Sequence, residues 1–351
     1  MADSAALVPS SKRQRTDGDA QLALATGESR ALAALAAGGV PRTSSLDAPT
    51  MLLTGHADAV TSVKFSPDGA HLVSGSLDKS VLLRSERGEC HNFMVLMGHK
   101  NAVLEVQWAQ DGAQLLSCSA DKTVRAWDAQ TGQQVKKMGE HTAVVNAVAP
   151  ARKGPPLLVS GSDDGTVRLW DVRVRRCVQA YSGEKRYAVT AVAFAEAADA
   201  VYAGGLDNVL RAWDLRTGTV SLSLQGHTDT ITGVALSADG AHVLTNAMDA
   251  TVRVWDVRPY APAQRCVKTL TGHTHNFEKA LLRCAWSPDG TKVTAGSADR
   301  NVYIWDVDAG SLLYKLPGHK GSVNEVVFHP TEPIVGSASA DKTIYLGELA
   351  K

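Results

Sequence analysis

From Met51 onward the chain runs in short apolar or alternating stretches, such as Val63-Lys64-Phe65 and Val81-Leu82-Leu83, separated by turn signals. This pattern predicts β-strands, with helix nearly absent. The turn signals recur at equivalent places, as Pro67-Asp68-Gly69, Asp111-Gly112, Asp239-Gly240 and Pro288-Asp289-Gly290. Glycine there supplies the positive φ of a tight hairpin. Over residues 94–128 the spacing predicts strands near 94–96, 103–108, 114–119 and 123–128, and the rest of the chain follows in register.

The strands belong to a repeat. GSDDGTVRLWD at 161–171 returns with small changes as segments ending at Asp128, Asp214, Asp256 and Asp306, each with an Asp six residues before its Trp. Taking Arg84, Trp127, Trp170, Trp213, Trp255, Trp305 and Gly347 as equivalent, the steps are 43, 43, 43, 42, 50 and 42 residues, which makes seven units. Upstream stands a Gly-His pair at Gly55-His56, Gly98-His99, Gly226-His227, Gly272-His273 and Gly318-His319, with Gly139-Glu140-His141 as a variant. A period of about 40–45 residues with these two marks resembles the WD40 repeat, whose units are four-stranded propeller blades. The resemblance spans roughly residues 49–351. It implies an all-β fold, a seven-bladed WD40 β-propeller.

The last unit supplies three strands, ending near Leu349, while Met51-Leu52-Leu53 precedes the first Gly-His as a strand without a blade. Pairing the two would close the ring by an N-terminal strand and remove both open sheet edges. The remaining residues, 1–48, are rich in Ala, Ser, Thr and Gly and poor in aromatic and β-branched residues, so they are expected to form a disordered N-terminal arm ahead of the 49–351 domain. Lys12, Arg13 and Arg15 in that arm read as a nuclear-localisation motif or an RNA contact, against the plainer reading of a solvated tail.

Composition narrows the function less than the repeat does. Lys plus Arg and Asp plus Glu number 36 each, so no global field draws the chain toward nucleic acid or a membrane. Five well-separated cysteines without a CxxC pair argue against a disulfide framework or a zinc site and for a reducing compartment. No signal core or run of about 18 apolar residues is present, so a soluble intracellular protein is expected.

Two sets imitate a hydrolase triad, His99 with Ser117 and Asp121, and His141 with Ser160 and Asp164. Their recurrence in unit after unit argues for structure rather than catalysis. Loop histidines one to a unit, with no second ligand three or four residues away, argue against a metal centre. No GxxxxGK[ST] or GxGxxG motif offers a phosphate cradle. The chain is therefore expected to be no enzyme and to need no cofactor.

The WD40 resemblance implies hydrogen-bonded chains within blades: His99–Ser117–Asp121–Trp127, His141–Ser160–Asp164–Trp170 and His227–Thr245–Asp249–Trp255, with the other four blades defective. It also implies a binding face built from the position before the turn Asp and from positions after the loop His. That places Leu77, Leu104, Val144, Asn146, Asp163, Leu206, Met248, Leu282 and Asn324 on a protein-docking face, against the alternative that small and aliphatic residues merely line the channel. The sixth unit carries extra residues around 259–262 and 275–279, and Phe277, Glu278 and Lys279 are candidate partner contacts on its lengthened loop.

Longer segments, among them HNFEKALLRCAWSPDG at 275–290 and LYKLPGHKGSVNEVVFHP at 313–330, resemble the WD-repeat subunits of the spliceosomal U5 particle. That resemblance implies a nuclear, non-enzymatic scaffold of pre-mRNA splicing, docked to other U5 proteins such as the large scaffold, helicase and GTPase subunits, with peripheral RNA contact and no membrane or small-molecule substrate. The alternative is a WD40 scaffold of another complex, such as a ubiquitin-ligase substrate receptor.

Overall fold

A computed structural model describes residues 44–85, 90–174, 176–183, 185–276 and 280–349. Strands alone form its regular structure, 28 of them in seven four-stranded antiparallel sheets. The second sheet is typical. Val103–Trp108, Gln114–Ser119, Val124–Asp128 and Gln134–Met138 pair in sequence order from the channel outward. Turn chemistry fixes the register: Gly69, Gly112, Gly240 and Gly290 all take φ between 66° and 77° at the first hairpin of their blades.

Six sheets are built from consecutive strands, and the seventh is closed across the chain. Thr50–Leu53 lies outermost on Ile344–Glu348, with Met51 opposite Leu346 and Leu53 opposite Ile344. The expected clasp is therefore the observed one. Packing also reaches back to Leu46, ahead of the expected boundary at 49, because this apolar side chain is buried with Cys90 between the seventh and first blades. Lys12, Arg13 and Arg15 lie outside the described residues.

The core is a set of inter-blade layers. Val73, Val81 and Leu83 of the first blade meet Val103, Val106, Trp108 and Leu115 of the second, and the contacts repeat around the ring. A blade buries both faces against its neighbours, which is why its inner strands read as nearly continuous apolar runs.

Candidate docking face

The loop end of every blade but the fourth carries a histidine. In the second blade the Trp127 indole N–H donates to Ser117 Oγ at 2.8 Å, and Ser117 lies 2.7 Å from His99 Nε2. The hydroxyl already accepts from the indole, so its proton goes to Nε2. Nδ1 then carries the hydrogen donated to Asp121 Oδ2 at 3.0 Å. Asp121 also accepts from the Lys100 amide and from Thr123. Burial alone would raise this carboxyl, but these donors hold it far below the usual range.

His141, Ser160, Asp164 and Trp170 repeat the arrangement, as do His227, Thr245, Asp249 and Trp255. Burial leaves all three histidines below their ordinary pKa, hence neutral at pH 7. The Gly before the histidine follows from this packing. A Cβ on Gly98 would stand 2.9 Å from the Trp127 ring and 2.6 Å from Arg125 Nη1.

The other four blades depart in distinct ways. The first and seventh lack the Trp but keep the rest, with His56 bonded to Ser74 and Asp78 and His319 to Ser337 and Asp341. Arg84, in the place of Trp, donates to the Thr54 carbonyl at 2.6 Å. In the fourth, with no histidine, Asp207 is bound by Arg211. In the sixth, Asp299 turns to the Tyr303 hydroxyl at 2.5 Å, and His273 Nε2 reaches Asn246 Oδ1 of the fifth blade at 2.8 Å.

The face itself is narrower than the sequence suggests. Leu206 and Leu77 are exposed, at 57% and 38%. Asp163 is exposed too, while Leu104, Val144 and Met248 are partly covered. Asn146, Leu282 and Asn324, expected on the surface, are buried. They bind blades together: Asn146 donates to Asp163 and to the Val189 carbonyl, Asn324 to the Val60 carbonyl, and the Leu282 carbonyl accepts from Thr232 and Asn246. Phe277, Glu278 and Lys279 lie outside the described residues. Among the described residues no cluster of three or more His, Cys, Asp or Glu side chains could hold a metal.

A family model described as "WD domain, G-beta repeat" matches seven times, at residues 48–84, 90–128, 132–171, 175–214, 218–256, 264–306 and 310–346. The chain belongs to the WD40 repeat family. Its similarity to individual WD40 proteins runs nearly end to end. It is 52% identical over 316 residues to the U5 small nuclear ribonucleoprotein 40 kDa protein of Homo sapiens, covering 90% of this chain and 88% of that protein. The protein of the same description from Dictyostelium discoideum is 47% identical, with 89% and 87% covered. Pre-mRNA-splicing factor cwf17 of Schizosaccharomyces pombe is 43% identical, with 88% and 90% covered.

Inside the WD40 ring lies a charged belt that the sequence reading missed. On the innermost strands Glu325 accepts from Ser62 and from the Val63 amide, Ser62 accepts from the Val106 amide, and Glu105 accepts from the Val148 amide. These contacts tie blades seven, one, two and three in turn. Blades three to five offer only Ala147, Ala191 and Gly233 at this level. Arg283 of the sixth blade crosses that space, donating to the carbonyls of Asn146, Thr190 and Thr232, with Glu105 at 3.4 Å. Lys64 pairs with Glu325 at 2.6 Å. Charges at this level, Glu105 and Glu325 inside apolar innermost strands and Arg283 just ahead of Cys284–Trp286, were the available signal.

Proposed function

We propose that this chain is a non-enzymatic protein-interaction scaffold of the U5 small nuclear ribonucleoprotein, acting in pre-mRNA splicing within the nucleus. The similarity to the U5 40 kDa protein over 90% of this chain and 88% of that protein carries the reading, because it spans every blade rather than the repeat marks alone. The geometry supports it. The Ser, His and Asp sets are spent on indole and backbone donors inside blades, so none presents a free nucleophile. Exposed apolar side chains on a rigid rim suit protein docking, and Leu77 and Leu206 are its best-exposed anchors. The partners proposed are the larger U5 proteins.

Affinity purification of the tagged full chain from nuclear extract, beside a Leu77→Asp plus Leu206→Asp variant, tests both halves. Recovery of U5 RNA and splicing proteins with the parent, reduced at least tenfold with a folded variant, is the expected outcome. Recovery of ubiquitin-ligase subunits instead would overturn the assignment, and undiminished recovery with the variant would remove the loop face as the docking surface.

A further inference from the structure

The fourth blade is missing a side chain that every other blade owns. Its loop reads Ser182-Gly183-Glu184-Lys185, without the histidine found as His56, His99, His141, His227, His273 or His319 in the other six. The hydroxyl beneath is gone as well, since Ala203 stands where Ser117, Ser160 and Thr245 stand. The two ends of the network nonetheless remain, as Asp207 and Trp213. Between them is a cavity of about 40 Å³, lined by Ala203, Asp207, Arg211 and Trp213 among others. One water needs roughly 10–15 Å³ by this measure, so the space holds about three waters or one five-membered ring.

The polar groups facing it specify the occupant. The Trp213 indole N–H faces Ala203 where the indoles of Trp127, Trp170 and Trp255 donate to a hydroxyl, and Trp213 is 7% exposed where those three are 2% or less. It calls for an acceptor. The Asp207 carboxylate calls for a donor, and its bond to Arg211 leaves room for one: in the second blade Asp121 serves His99 while Arg125 Nη2 lies 3.6 Å away. A neutral imidazole offers one lone pair and one N–H. An ammonium or guanidinium offers donors only and would face Arg211, and a carboxylate would face Asp207. A carboxamide has both functions, but the sister blades fill the equivalent space with imidazole.

We propose that the fourth blade carries a pocket for a histidine side chain of a docked protein, held between Asp207 and Trp213. Tyr187, 40% exposed, lines it and offers the incoming segment an apolar ring. The proposal rests on the reading of the loop face as a docking surface.

Free imidazole is the probe, titrated at pH 8 into ¹⁵N-labelled full chain while the indole N–H signals are followed, with Trp213→Phe assigning the relevant one. The expected result is a saturable shift confined to Trp213, with a Kd of roughly 1–10 mM, as fits so small a ligand. Asp207→Asn, whose remaining indole signals report that it is folded, should weaken binding at least tenfold. A shift that is absent, unsaturable or shared by all indoles would overturn the pocket, as would full binding by Asp207→Asn. The two readings separate cleanly. Loss of partners with Leu77→Asp plus Leu206→Asp but no imidazole binding sinks only the pocket, while imidazole binding with undiminished partner recovery sinks only the docking face.

Discussion

Replacing Ser160 by Ala removes one oxygen from the centre of the third blade and leaves two buried groups unmatched. Ser160 is fully buried. Its hydroxyl accepts from the Trp170 indole and donates to His141 Nε2, each at 2.8 Å. An unsatisfied buried donor or acceptor costs about 1–3 kcal/mol, so the variant should lose roughly 2–5 kcal/mol. That is far more than the net value of one exposed hydrogen bond. Water has little access, because Ser160, its partners Trp170 and His141, and its cross-strand neighbour Val148 are all buried. The assay is equilibrium denaturation in urea at pH 7.5, read by Trp fluorescence, with amide exchange to locate the loss. Ser160→Thr is the control, since Thr245 makes the same contacts in the fifth blade. Loss should concentrate in strands Val145–Pro150, Leu157–Ser162 and Val167–Asp171. A Ser160→Ala protein within about 0.5 kcal/mol of the parent, below the cost of even one orphaned group, would refute the account.

Two further outcomes follow from the buried charges. Arg283→Met should cost about 3–5 kcal/mol by stranding Glu105 and three carbonyls, and adding Glu105→Gln should recover part of it; a single variant as stable as the parent in urea denaturation would remove the belt from the energetics. Burial, with the neighbouring His275, lowers His273 to about 4. The unfolded chain therefore takes up protons first. Stability is complete above an unfolded pKa of about 6.5 and falls as pH drops toward 4, by about 2 kcal/mol at pH 5 from this group. The carboxylates of the networks, whose pKa values are depressed, contribute above their unfolded pKa and lose that contribution only at lower pH. Unfolding midpoints that stay flat from pH 7.5 to 5 would contradict the histidine term.

The blades were legible in the sequence because each is a local object. A hairpin glycine, a loop histidine and a Trp lie within one repeat, so their spacing survives in the chain. Closure was legible too, from Met51-Leu52-Leu53 lacking a sheet and the last unit lacking a strand. What stayed hidden is what forms between repeats. Arg283 meets Thr190 and Asn146 at separations of 93 and 137 residues, and no periodicity announces that. For the same reason Leu282 resembles Leu104 in its repeat position yet is 1% exposed, tied into the fifth blade through its carbonyl. Asn146 and Asn324 carry amides that any surface could bear, and only the neighbouring blade turns them inward.

The pairing of Met51 with Leu346 also sets an order of events during synthesis. The strand Thr50–Leu53 is made 294 residues ahead of its mate Ile344–Glu348. At ordinary elongation rates of roughly 5–20 residues per second, the early strand waits on the order of tens of seconds. Throughout that wait its apolar edge has no native mate, and the first blade and the newest one each have an uncovered flank. The nascent ring is thus most vulnerable to wrong strand pairing just before completion, and a ribosome stalled in the seventh repeat would release an open, adhesive chain rather than a smaller folded one.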